Sequence, residues 1–376
     1  MINPSALFSS DNRMQPDNQL SDFTVPTRYW HALDDGRLQC DLCPRHCKLH
    51  NGQQGLCFVR EARDNAIVMT SYGRSSGFCV DPIEKKPLHH FYPGSAVLSF
   101  GTAGCNLACK FCQNWDMSKS RENATLSSVA MPDQLAQACI QTGARSIAFT
   151  YNDPVIFHEY AIDVAQACHD VGVKTVAVTA GYVCDAPRAA FFRHMDAANI
   201  DLKAFNEKFY HEVCGAHLHN ILDTLEYVKH GTNTWLEITT LLIPGENDSD
   251  AELEAMTRWI HDHLGQDVPL HFSAFHPDWK MRDKSHTPAA TLQRARKIAR
   301  ANGLRYVYVG NVHDRDGGST WCPHCDELLI ERDWYRLGEY HIADGSCRHC
   351  TGEIAGHFSN EAGDWGRQRM PVRFVS

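Results

Sequence analysis

The sequence predicts an α/β protein: a partial (β/α) barrel core flanked by two small cysteine-rich modules. Three observations predict it. Between residues 96 and 310, apolar runs alternate with helical stretches, the pattern of parallel βα units. Those helical stretches end at glycine just before the next apolar run. Eleven of the 16 cysteines fall into three groups with ligand-like spacing, one inside the barrel region and one in each flank.

Taken in order, residues 1–23 are polar, rich in Asn, Asp, Ser and Gln, and read as a mobile tail. They lack the basic start and apolar run of a signal peptide. Residues 24–92 form the N-terminal module, with few long periodic segments and four cysteines, Cys40, Cys43, Cys47 and Cys57. The barrel core occupies 93–317, with strands expected at 96–100, 146–151, 175–179, 199–202, 235–242, 270–274 and 306–309. Their Val, Ile, Thr and aromatic content suits strands buried on both faces. Gly143, Gly172, Gly231, Gly265 and Gly303 stand where a left-handed residue closes a helix. Six or seven such units make a full or partial barrel. Residues 318–376 hold a second four-cysteine set, Cys322, Cys325, Cys347 and Cys350, and a tail. Neither flanking module is large enough to fold on apolar burial alone, so a bound metal is expected in each.

The formal net charge is −9, which argues against broad binding to nucleic acid or to an anionic membrane. No run approaches the 18 or so apolar residues of a membrane helix. Without an export signal, clustered cysteines read as metal ligands in a reducing compartment rather than disulfides, and the expected location is the cytoplasm. Of the five cysteines outside the groups, Cys139 and Cys168 lie in helical patterns as small core residues. Cys214 follows a site-like segment and is a candidate to face it; Cys79 and Cys184 suggest nothing further.

The chemistry concentrates at Cys105, Cys109 and Cys112, a C-x3-C-x2-C loop just past the first strand. In such barrels active sites gather at the C-terminal strand ends. Three thiolates can hold three corners of a [4Fe–4S] cube, where most cubes take four. The open iron suits radical chemistry on S-adenosylmethionine (SAM), whose amine and carboxylate would bind it. The bland alternatives are unrelated thiols or part of a zinc site. Later strand ends supply polar groups. Asn152 and Asp153 stand in a turn before Pro154, suited either to the SAM ammonium or to capping a helix. Asp201 and Lys203, two apart, point the same way from a strand. They could hold ribose hydroxyls and carboxylate, or simply pair with each other. His276 follows the sixth strand and is either structural or site-facing.

The segments 105–114, 151–154, 201–203, 242–248 and 275–277 together resemble the radical SAM enzymes related to pyruvate formate-lyase activase. The chain is most similar to the AmmeMemoRadiSam system radical SAM enzymes. Their further signatures stand here as Cys40-x2-Cys43-Pro44-Arg45-x-Cys47, Gly55-Leu56-Cys57-Phe58-Val59-Arg60 and Asp81-Pro82-Ile83-Glu84-Lys85-Lys86-Pro87. The resemblance spans about residues 38 to 356 and implies roles position by position. Cys105, Cys109 and Cys112 match the cluster ligands, and Phe111 matches an aromatic whose backbone meets the adenine. Asn152 and Asp153 match the amine-binding turn, Asp201 and Lys203 the ribose and carboxylate contacts, and His276 a histidine near the adenosyl group. One departure is Val178-Thr179-Ala180-Gly181, where the activases usually have Asp-Thr-Asn-Gly. It lacks the acid of the cation site that some activases place near SAM, and it argues against an identical substrate.

The implied activity is reductive cleavage of SAM to methionine and a 5′-deoxyadenosyl radical, which takes hydrogen from an unidentified substrate. The motifs name no protein general base. Implied partners are a low-potential electron donor such as a flavodoxin or ferredoxin, and proteins of the Memo and AMMECR type. The rivals are activation of a glycyl radical enzyme and a non-catalytic metal-binding or electron-carrier scaffold. The C-terminal C-x2-C-x21-C-x2-C set has zinc-ribbon spacing, with iron as the rival metal. The N-terminal C-x2-C-x3-C-x9-C set suits zinc or a second iron–sulfur cluster. Only a cluster could pass electrons. The segments 81–87 and 89–93 border the site mouth or serve as a rigid connector.

Overall fold

The computed structural model describes residues 23–119 and 128–374. Its centre is one large sheet. Strand β1 (Arg74–Pro82) is followed by β2 (Ala96–Gly101), β3 (Ser146–Phe149), β4 (Lys174–Thr179) and β5 (Ala197–Asp201). Then come β6 (Trp235–Leu242), β7 (Leu270–Ala274) and β8 (Val307–Gly310). They lie side by side in chain order, and β2 to β8 are all parallel.

Six helices make the crossovers: α1 (Pro132–Thr142), α2 (His158–Asp170), α3 (Asp185–Phe192), α4 (Leu218–Gly231), α5 (Asp250–Leu264) and α6 (Ala289–Ala301). Among the described residues no pairing joins β8 back to β1, so the barrel is partial. Buried residues on both faces, such as Val97, Leu98, Ile147 and Phe149, explain why the strand sequences do not alternate. Gly143 closes α1 at φ 68°, its N–H donating to Cys139 and Ile140 carbonyls.

The module borders differ from the sequence-based ones at both ends. Residues 74–82, expected in the N-terminal module, form β1 and pair antiparallel with β2. A register shift between Ser76 and Cys79 and the terminal Pro82 hid that strand from pattern reading. What precedes it is two small three-stranded sheets, Trp30–Ala32 with Leu38–Cys40 and Lys48–Leu49, and Val25–Pro26 with Ala66–Met69 and Arg60–Arg63. The expected tail lies outside the described residues except for Phe23. That ring is buried, with the Arg74 guanidinium 4.4 Å from its centroid.

At the other end Thr320–Trp321, β9 (Leu328–Asp333) and β10 (Arg336–Tyr340) make a ribbon with its own small core. The chain then returns to the barrel instead of trailing away. Met370–Pro371 pairs with β1 at Val80 and Cys79, and Phe374 packs against Phe78 at 4.6 Å. Among the described residues no helix is long and apolar enough to cross a membrane.

Candidate active site

The loop after β2 is held on every side. Gly104 has φ +94°, and a Cβ there would lie 1.9 Å from the Cys57 carbonyl oxygen, so only glycine fits. The Asn152 amide donates to the Gly104 carbonyl (2.8 Å) and accepts from the Thr102 N–H (3.3 Å). Asn106 donates to the Tyr182 carbonyl at 2.9 Å. Farther along, the Ala108 and Lys110 N–H groups donate to the Cys214 and Val213 carbonyls at 2.8 and 3.0 Å.

This bracing turns Cys105, Cys109 and Cys112 toward one cavity of about 270 Å³ at the C-terminal strand ends. Phe111, Asn152, Asp153, Asp201 and Lys203 line it too. The three thiols do not converge as ligands of a single ion would. Among the described residues only Cys322, Cys325, Cys347 and Cys350 form such a group. Three separated thiols facing one cavity fit the corners of a four-iron cube, in which each cysteine binds a different iron.

Asp201 and Lys203 pair with each other, with Lys203 Nζ 2.8 Å from Asp201 Oδ2, and both line the cavity. Burial alone would lower the Lys203 ammonium, but the charges of Asp201 and Cys109 outweigh it and raise it well above its ordinary value. The lysine also stands 5.8 Å from the Phe111 ring centroid. Cys109 is lowered to about 7, first by its contact with the Cys214 thiol and, against burial, by the Lys203 and Lys119 charges. Cys214 itself is buried behind the loop and does not line the cavity.

Asp153 is occupied by its own turn. Its carboxylate accepts from the Val155 N–H (3.1 Å), Thr179 Oγ1 (2.9 Å) and the Ala180 N–H (3.1 Å). It caps the short helix Pro154–Phe157, as the capping alternative predicts, and ties the departed segment at Thr179–Ala180 to the site. Burial pushes its carboxyl up.

His276 departs from its expected role. It is exposed and absent from the cavity wall, with Nδ1 3.1 Å from Gln113 Nε2. Both residues lie past the end of β7 at Ala274, where Phe275 is buried and His276 is exposed.

Sequence reasoning missed most of a second cavity of about 350 Å³. It adjoins the first, sharing Gln113, Asn114, Thr150, Tyr151, Ser273 and Asn311. Lys85, Lys86, Arg315 and Arg332 line it together with His271, Glu84, Asp314 and Asp333, so its wall is polar and carries charges of both signs. The segment 81–87 therefore borders the site. Buried Asp81 receives Lys85 Nζ at 2.9 Å and Lys86 Nζ at 3.1 Å, and burial lowers Lys86 to about 8. Behind His271 lies Glu237, 2.6 Å away, which also accepts from the His89 and His90 N–H groups at 2.9 and 2.8 Å. A carboxylate inside an otherwise apolar strand was the available signal. Arg332 reaches this wall from β9, so the ribbon completes it. Nothing in its local sequence could reveal that.

Residues 100–256 match the model of the radical SAM superfamily. The "Uncharacterized protein MJ0808" of Methanocaldococcus jannaschii is 38% identical over 304 residues, covering 81% of this chain and 90% of its own. A 4-hydroxyphenylacetate decarboxylase activating enzyme of Clostridioides difficile is 23% identical, over 54% of this chain and 70% of its own. A pyruvate formate-lyase-activating enzyme of Clostridium pasteurianum is 22% identical, over 51% and 84%.

Proposed function

Because the chain carries a radical SAM domain and belongs to one family with the Methanocaldococcus protein, we propose that it cleaves SAM reductively and takes hydrogen from a small polar substrate. The observation that carries this is the Cys105, Cys109 and Cys112 cavity opening onto a second, polar one. When bound, a [4Fe–4S] cluster and SAM supply a one-electron cleavage of a carbon–sulfur bond, giving methionine and a 5′-deoxyadenosyl radical. The three cysteines hold the cluster. Lys203 and Asp201 bind the carboxylate and ribose of SAM, and Phe111 flanks the adenine. Asn152 and Asp153 act on the site by fixing the loop and the turn rather than by direct contact through their side chains. Lys85, Lys86 and Arg332 line the neighbouring cavity, whose volume suits a small molecule.

The signatures at 40–47, 55–60 and 81–87 support placement among the AmmeMemoRadiSam enzymes, with Memo and AMMECR-type partners, a flavodoxin or ferredoxin donor and a cytoplasmic location. A second reading, generation of a glycyl radical on a partner enzyme, is favoured by the names of the two clostridial relatives. The test is to replace Cys105, Cys109 and Cys112 by Ala and follow 5′-deoxyadenosine under strong reductant. Loss is expected; formation at the wild-type rate would overturn the proposal. Anaerobic incubation of the wild type with cell extract separates the two readings. A consumed metabolite supports the first, and a protein-borne glycyl radical signal the second.

A further inference from the structure

The four N-terminal cysteines come from separate turns yet face one space. Cys40, Cys43, Cys47 and Cys57 line a single small cavity with Leu42, Ile156 and the side of Asn106. Three of the four are buried, and Cys47 is half-buried. The backbone fixes the arrangement: the Cys40 N–H donates to the Cys47 carbonyl at 2.9 Å, and the His46 N–H to the Cys43 carbonyl at 3.1 Å.

We propose that these four residues hold a second four-iron cluster, placed to relay electrons to the loop that carries Cys105. This rests on the reading of Cys105, Cys109 and Cys112 as ligands of the SAM-cleaving cluster. The molecule supplies two internal standards. In a tetrahedral zinc site each sulfur lies about 2.3 Å from the ion, which puts the sulfurs about 3.8 Å apart. The C-terminal set has that geometry: Cys322 and Cys350 sulfurs are 3.7 Å apart, Cys325 and Cys347 sulfurs 3.9 Å, and all four lie within 4.8 Å. The N-terminal set does not form such a group, and neither does the Cys105 triplet. Both instead surround a cavity, as thiolates bound to different irons of one cube must.

A cation also stands at this cavity. Arg45 lines it and donates to the carbonyls of Asn106 (2.9 Å) and Gly215, and among the described residues no carboxylate pairs with it. An unpaired guanidinium beside four cysteines suits the negative charge that a thiolate-bound cluster brings. The same arginine clamps the module to the radical loop from behind. Cys57 presses its carbonyl on Gly104, one residue from Cys105, and Asn106, on the other side of Cys105, lines the N-terminal cavity. Adjacent centres suit electron transfer, and zinc cannot change oxidation state there. In the relay one electron enters from a one-electron donor protein of the flavodoxin or ferredoxin class. One electron leaves toward the Cys105 loop, and the N-terminal centre returns to its starting state with no bond made or broken.

The experiment uses the full chain, reconstituted anaerobically with iron and sulfide and supplied with zinc. In the Cys105→Ala, Cys109→Ala, Cys112→Ala variant the N-terminal module is untouched. That variant should keep about four iron and four labile sulfide per chain. After dithionite it should show a paramagnetic cluster signal that SAM does not alter. The wild type should hold about eight iron. A triplet variant with zinc at both outer sites and no labile sulfide would overturn the second cluster, while leaving the SAM-cleaving assignment intact. A variant signal that still shifts with SAM would instead overturn the SAM-cleaving assignment. Cys43→Ala with Cys57→Ala should lose about four iron and keep the SAM-sensitive signal. Where that pair misfolds, the triplet variant decides alone.

Discussion

Four cysteines at the start of the chain and four near its end share a ligand count and little else. The C-terminal sulfurs gather on a point, inside a ribbon whose small core includes Leu329, Ile330, Ile342 and Ile354. The N-terminal sulfurs surround a space, and their module packs against the radical loop. The difference lies in the arrangement of the thiols, around a point or around a cavity, which spacing along the chain does not reveal. With zinc at the first set and the proposed cluster at the second, it would also separate two uses of a metal, one holding a module together and one serving the chemistry next door.

The strongest way to break the comparison is at the ribbon. Cys322→Ser with Cys325→Ser should remove about one zinc per chain and unfold the ribbon, because metal binding and folding are coupled in such modules. Iron bound by the Cys105 loop should be unchanged, and SAM cleavage per iron centre should fall only as far as the ribbon's Arg332 shapes the second cavity. Metal analysis and 5′-deoxyadenosine assays check this. Iron with labile sulfide at the C-terminal set would erase the contrast.

On the N-terminal side the anchor is an ion pair. Buried Arg60 lies 2.6 Å from Glu159 on α2, donates to the Ile156 carbonyl at 3.1 Å and lines the four-cysteine cavity. Arg60→Met would leave the carboxylate unpaired, at a cost of about 3–5 kcal/mol in denaturant unfolding. Burial pushes Glu159 up, but the Arg60 charge and hydrogen bonds bring it net below its ordinary value. A depressed carboxyl lends stability that is complete above its unfolded value and lost as pH falls through the folded one. Wild-type stability should therefore drop faster than that of Arg60→Met below about pH 4.3.

Between the two modules lies the cavity proposed to bind SAM. Lys203→Ala should remove a charge-assisted hydrogen bond worth about 1.5–3 kcal/mol, roughly a ten- to hundredfold loss of SAM affinity by calorimetry. A folded variant with unchanged affinity would move the SAM carboxylate elsewhere.

How far the sequence was readable follows the range of the interactions involved. The parallel strands were legible because each is a local apolar run buried on both faces. That the Cys105 loop, Asp201 and Lys203 share one cavity was legible because each follows or ends a parallel strand. Arg74–Pro82 was missed as a barrel strand because its signal is its partner, 20 or so residues on, and not its own pattern. His276 was misplaced because it lies in the loop past β7, whose path the strand pattern does not set. Arg332 and Glu237 were invisible as cavity and wall residues because ribbon and barrel meet only in three dimensions.

That meeting surface yields the smallest effect. His90 joins the two bodies: Nδ1 lies 2.6 Å from the Ala355 carbonyl and Nε2 2.5 Å from the Tyr308 hydroxyl. Burial above all pushes its imidazole down to about 4, against the nearby Glu237 charge. The unfolded chain takes up that proton near pH 6.5, whereas the folded one resists until about 4. Between those values the unfolded state binds more protons, so stability is lost as pH is lowered, by about 1.4 kcal/mol per unit at most. Thermal melts of wild type and His90→Gln from pH 7 to 4.5 should show the variant less stable at pH 7 but with the shallower decline. Neighbouring His89, also held neutral by burial, should keep part of the slope in both. Parallel curves for the two proteins would mean that His90 does not carry the acid sensitivity of the ribbon's docking, which would then rest on the contacts of Arg332 and on the return of the chain to β1 at Met370–Pro371.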